Sequence, residues 1–238
     1  MTTVTGTDTR PAHPPAHTRT AALAATTAAA TTALRRAAAV LPHPRRTPVT
    51  FWYLAVLLVT TQLRRMLPED TVERLVSGSS TDAYHLTHSP LRVLIASALW
   101  TAGGLWTLYA VQFSLILAPL ERRVGGRRLL MVFASGHIAA TLATELPIAA
   151  MVGFNHLPDD SAHRVDVGVS FGLYATAGAL MGLLTLRHRL LGLALIAATL
   201  IPDVLELDDP VAAFGHPFAL AVGILWWPVL TRTRVTQV

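Results

Sequence analysis

Two residues in this chain could act together as a nucleophile and a base. Ser170 lies in Asp166-Val167-Gly168-Val169-Ser170-Phe171-Gly172, and His216 lies in Phe214-Gly215-His216-Pro217. Each follows an acidic loop and stands about five residues into an apolar stretch. With a rise of about 1.5 Å per residue, both are expected roughly 8 Å below the same surface of a hydrophobic layer. An imidazole beside a serine hydroxyl can take its proton, assist attack on a carbonyl and then protonate the leaving amine. A serine near a helix start also has unpaired backbone N–H groups beside it, which suit a developing oxyanion. Gly-x-Ser-x-Gly is shared with the nucleophile elbow of α/β-hydrolases, but that motif needs a preceding strand and the context here is apolar helix.

The elements that must position these groups are apolar and long. Of 238 residues, 52% are hydrophobic and only 14% charged, and mean hydropathy is positive. Runs approaching about 20 apolar residues identify an all-α polytopic membrane protein. Six spans are predicted, at Val49–Leu63, Gly103–Leu120, Leu129–Ile148, Asp166–Leu186, Leu190–Ile201 and Val211–Leu230. A loop from Arg64 to Pro90 and a short helix at Leu91–Trp100 lie between the first two. Residues 1–47 are rich in Thr, Ala and Pro and are expected to be a disordered or loosely helical cytoplasmic tail. Residues 48–232 form the membrane domain, and 233–238 a second cytoplasmic tail. Without cysteine there is no disulfide framework.

Charge sets the orientation. All nineteen basic residues are arginine. With the N-terminus inside, fourteen arginines and two acids fall in inner segments, against five arginines and eleven acids outside. This is the positive-inside asymmetry, and it places both termini in the cytoplasm and Ser170 and His216 near the outer face of a cell membrane. The basic balance therefore reports topology, not nucleic-acid binding.

Small residues recur at helical spacing, as Gly168, Gly172, Ala175, Ala179 and Gly182 in the fourth span and Gly215, Ala219 and Gly223 in the sixth. Such faces let helices approach closely in lipid, and here would draw Ser170 toward His216. In the third span His137, Thr141 and Glu145 make one polar stripe. It reads as an interhelical hydrogen-bond network, a proton path or a metal site, although no H-E-x-x-H pattern is present.

On these residues the chain resembles the rhomboid family of six-span intramembrane serine proteases. Pro119-Leu120-Glu121-Arg122 with Gly125 and Arg127-Arg128 is similar to the signature after the second span. Gly168-Val169-Ser170 is similar to the nucleophile motif, Tyr174 to the aromatic that stacks on the catalytic histidine, and His216 with Gly223 to the sixth-span motif. Ser79-Ser80-Thr81, Ser135-Gly136-His137 with Thr141 and Glu145, and Asp166-x-Gly168-x-Ser170 look like an actinobacterial rhomboid-like subgroup. The resemblance implies a six-helix rhomboid-like transmembrane bundle with Ser170 as nucleophile and His216 as base. Gly168, Tyr174 and Gly172 would support them, with no cofactor and no metal. The chain departs from the family at Phe171 and Ala219, where glycine is usual. It also departs at Leu105 and Tyr109, where the family offers oxyanion donors. Two functions follow: cleavage of transmembrane segments of other membrane proteins, or binding of such segments by an inactive relative. A proton-coupled transporter using His137 and Glu145 is the third reading, without the inverted repeat that many transporters show.

Overall fold

The computed structural model describes residues 41–101 and 106–235, with side chains up to Arg232. The N-terminal tail up to residue 40 and the entry to the second span at 102–105, including Leu105, lie outside the described residues. Residues 42–238 form one unit.

Helix α1, Pro48–Met66, begins with proline at its first position, where a missing N–H leaves nothing unsatisfied. Its next N–H groups, those of Val49 and Thr50, donate to the buried carboxylate of Glu121 at 2.9 Å each, and the Thr50 hydroxyl adds a third bond at 2.7 Å. An anion suits a helix N-terminus. This gives the Pro-Leu-Glu-Arg motif a structural task, which is to fasten the start of α1 to the end of the second span.

The expected loop from Arg64 to Pro90 holds two short helices, α2 (Glu69–Ser77) and α3 (Ala83–His88), and α4 (Pro90–Ser97) follows. The second span is two pieces, α5 (Trp106–Leu115) and α6 (Leu117–Val124), because Pro119 sits in the first turn of a new helix. The third is α7, Gly126–Gly153, which runs unbroken through Pro147.

The fourth span is shorter than expected. Helix α8 covers only Ser170–Met181, and residues 164–169 approach it without helical structure. A depth counted at helical rise from Asp166 is therefore wrong, since extended backbone advances about 3.3 Å per residue. Asp166 belongs to the loop before α8. Nearly every residue of α8 is buried, as befits a helix apolar on all sides at the centre of a bundle. The fifth span is longer than expected: α9 covers Leu186–Glu206 and carries Asp203 on a helix rather than in a loop. The sixth is α10 (Pro210–Leu225), followed by α11 (Trp227–Val235), which restarts at Pro228. Among the described residues three helical stretches, Gly126–Gly153, Leu186–Glu206 and Pro210–Arg232, are long and apolar enough to cross a membrane.

Helix α8 is wedged between α7 and α10. Ala175 marks the tightest point. A Cβ on Gly136 of α7 would overlap its methyl group, and a Cβ on Gly223 of α10 would overlap its carbonyl oxygen. Only glycine on both flanks allows three backbones to meet there. Arg189 closes the other end of α8, donating to the carbonyls of Met181, Gly182 and Leu184 at 3.0, 3.0 and 3.3 Å and lying 4.8 Å from the Trp227 ring centre. A cation there complements the negative helix end.

Candidate functional site

Ser170 is the first residue of α8, and it is delivered by a segment pinned from outside the bundle. Thr81 N–H donates to the Asp166 carbonyl at 2.8 Å, and Asp166 N–H donates to the Ser80 hydroxyl at 2.9 Å. Gly168 N–H then donates to the Ser97 carbonyl at 3.1 Å. Gly168 has φ of +152°, a backbone conformation that side chains strain. The Ser79-Ser80-Thr81 motif is thus a clasp on the residues before the serine. Burial pushes the Asp166 carboxyl above the usual carboxylate range, against the opposing pull of Arg164 and a hydrogen bond from Thr81.

The first N–H groups of α8, on Ser170, Phe171 and Gly172, make no hydrogen bond among the described residues; the helical ladder starts with Leu173 N–H to the Val169 carbonyl at 3.0 Å. Gly172 leaves room for the Phe133 ring, which a Cβ would strike. The first turn therefore offers free donors beside a half-buried hydroxyl.

His216 stands in the second turn of α10, whose start is capped by Asp209, accepting from Val211 and Ala212 N–H at 3.1 and 3.2 Å. Its ring lies 4.4 Å from that of Tyr174, centre to centre, at 33°. Phe171 meets the same imidazole edge-on at 5.6 Å. Tyr174 is one turn beyond Ser170, on the same face of α8. The imidazole is therefore held against the start of α8, by two aromatic residues one and four positions after the serine. Among the described residues the Ser170 hydroxyl makes no hydrogen bond and His216 Nδ1 has no hydrogen-bond partner, so hydroxyl and imidazole are not joined in this state. The other face of His216 looks at α9: its Nδ1 is 3.7 Å from an Asp203 carboxylate oxygen.

The third-span stripe splits into separate contacts. His137 Nε2 lies 3.1 Å from the Ser97 hydroxyl and 3.1 Å from the Leu94 carbonyl. Glu145, its side chain only 2% exposed, accepts from Arg164 at 2.9 Å, and Arg164 reaches Asp209 at 3.4 Å. Thr141 lies between them, buried with its hydroxyl unpartnered. Of the three readings of the stripe, these contacts match the interhelical network. Tyr109 is buried in the inner core beside Phe113, with ring centres 6.5 Å apart.

Sequence reasoning overlooked Asp203, Thr199, Ser97 and Arg164. Thr199 stood as a lone polar residue in the apolar middle of its helix, while the acid one turn on, Asp203, was masked by the acidic residues that follow it. Ser97 and Arg164 carried no signal, since their roles depend on loop paths.

A helical membrane protein with a serine and a histidine gathered at one end of three close-packed helices is the class that fold and site define. A family model described as rhomboid-like protein matches residues 43–237. The chain belongs to the rhomboid-like family, and its surroundings are a lipid bilayer. No curated protein and no solved structure matches it.

Proposed function

We propose that the protein is an intramembrane serine endopeptidase of the cell membrane, with both termini cytoplasmic, that cuts within or near transmembrane segments of other membrane proteins. The observation that carries this reading is the imidazole of His216 stacked on Tyr174, one turn from Ser170. His216 takes the Ser170 proton as the hydroxyl oxygen attacks the peptide carbonyl. The free N–H groups of Ser170, Phe171 and Gly172 face the charge that develops there. The imidazolium protonates the departing amine, and water, activated by the same ring, hydrolyses the acyl-enzyme. The chemistry uses protein groups alone. An apolar groove of 480 Å³ between α9 and α10, lined by Leu200, Ile201, Val204, Pro217 and Leu220, supports access for an apolar peptide from the lipid side.

The test is active-site labelling. A fluorophosphonate should label the purified protein in detergent, and Ser170→Ala and His216→Ala should each remove the label. A second reading, an inactive relative that binds transmembrane helices, is favoured by the missing Ser170–His216 hydrogen bond and by Tyr109 standing where the family carries an oxyanion donor. An unlabelled wild type that also cleaves no panel of model transmembrane substrates would decide for that reading. Retention of those substrates on the immobilised protein would then support it directly.

A further inference from the structure

Helix α9 presents two polar side chains one turn apart to the pair that carries the proposed chemistry. The Thr199 hydroxyl lies 3.3 Å from the Tyr174 hydroxyl, and an Asp203 carboxylate oxygen lies 3.7 Å from His216 Nδ1. One helix face thus meets both the stacking tyrosine and the imidazole. His216 Nδ1 is buried with no hydrogen-bond partner, and its side chain is 13% exposed. A buried nitrogen without a partner costs free energy unless a group moves onto it. Asp203 is the nearest candidate. It sits in the last turn of α9, where the helix dipole disfavours an anion, and among the described residues His216 is its one ion-pairing partner. Its carboxylate is 44% exposed, so it has room to close about 1 Å to hydrogen-bond distance.

We propose that Asp203 is a positioning residue that accepts a hydrogen bond from His216 Nδ1–H, fixing the imidazole so that Nε2 is the basic nitrogen turned to Ser170. The site then works as Ser170, His216 and Asp203 drawn from three helices, and the inference rests on the hydrolase reading. The Ser170 proton passes to Nε2 as the oxygen–carbon bond forms. The same proton leaves with the amine as the carbon–nitrogen bond breaks. Asp203 stays ionised throughout and keeps the Nδ1 proton in place.

The experiment reads the tautomer and the labelling rate separately. In protein carrying ¹⁵N-histidine in detergent, at mildly alkaline pH, the His216 signal is assigned by its loss in His216→Gln. Wild type should show Nδ1 protonated. Asp203→Asn keeps the size of the side chain but offers an amide donor to Nδ1, so the signal should switch to the Nε2–H tautomer. Fluorophosphonate labelling should fall about tenfold in that variant, and Asp203→Glu should recover most of both readouts. The loss should be smaller than the roughly 10⁴-fold of a fully buried aspartate in such a triad, because Asp203 is partly in solvent. A His216 tautomer unmoved by Asp203→Asn in a protein that labels normally would overturn the role of Asp203 and leave the hydrolase reading intact. A wild type that never labels would remove the hydrolase reading and the positioning role with it, whichever tautomer is seen.

Discussion

At the scale of single residues, buried polar groups here are spent on fastening as much as on chemistry. Glu121 accepts three hydrogen bonds at the start of α1 from a side chain that is almost wholly buried. Glu121→Ala should lower stability by about 3 kcal/mol, since it strands two backbone donors and a hydroxyl at a buried helix end. Unfolding in mixed detergent micelles would show it, and a change under about 0.5 kcal/mol would mean water replaces the carboxylate at no cost. Glu121 was visible in the sequence as part of a motif, but its partner was not, because the bond to Thr50 spans 71 positions. His216 and Tyr174 were legible for the opposite reason. An imidazole among apolar residues is conspicuous, and Tyr174 entered through the resemblance to the rhomboid family rather than from spacing. Asp203 was hidden by its sequence context, since an acid next to Pro202 and close to Glu206, Asp208 and Asp209 reads as part of a loop.

Among the elements, the contact of α7, α8 and α10 positions the site, and it depends on absent side chains. A Cβ at position 223 would collide with backbone, which cannot turn aside as a side chain can. Gly223→Ala should therefore cost about 1–3 kcal/mol, as overpacking of a filled core does. It should also reduce fluorophosphonate labelling by moving His216 away from α8. Gly153→Ala is the control, since a Cβ there meets nothing within 4 Å and should leave both measurements unchanged. Equal losses in the two variants would show that helix approach at Ala175 is not what glycine provides. The approach of α8 to α10 was readable from the small-residue spacing, whereas that of α7 at Gly136 was not. Helix lengths were read less well. Periodicity and hydropathy cannot separate a buried, extended approach such as 164–169 from the helix it feeds, so α8 was expected four residues too early. Pro202 suggested an end to α9, yet a proline removes only one helical hydrogen bond, and the helix continues to Glu206.

For the whole molecule, the end of the bundle that carries Ser170 and His216 is held by one arginine. Arg164 joins Glu145 of α7 to Asp209 at the start of α10, from the same loop whose later residues are clasped by Ser80 and Thr81 and lead into Ser170. The helices that carry base and nucleophile are thereby tied to a common point in the loop before α8. The two ion pairs are unequal. Asp209 is largely in water and its pair is screened, whereas Glu145 is enclosed and depends on Arg164 for compensation. Arg164→Ala should destabilise by about 3–5 kcal/mol, because it strands a buried carboxylate. Adding Glu145→Gln to that variant should restore part of the loss, since a neutral amide no longer needs the cation. Asp209→Ala should have an effect of a different kind, loosening the first turn of α10 by about 1 kcal/mol through the lost cap. Unfolding midpoints of the two single variants at Arg164 and Glu145, their double and Asp209→Ala decide the matter. If the double variant falls by the sum of its parts, Glu145 and Arg164 act independently, and this end of the bundle is held by its loops rather than by this buried charge pair.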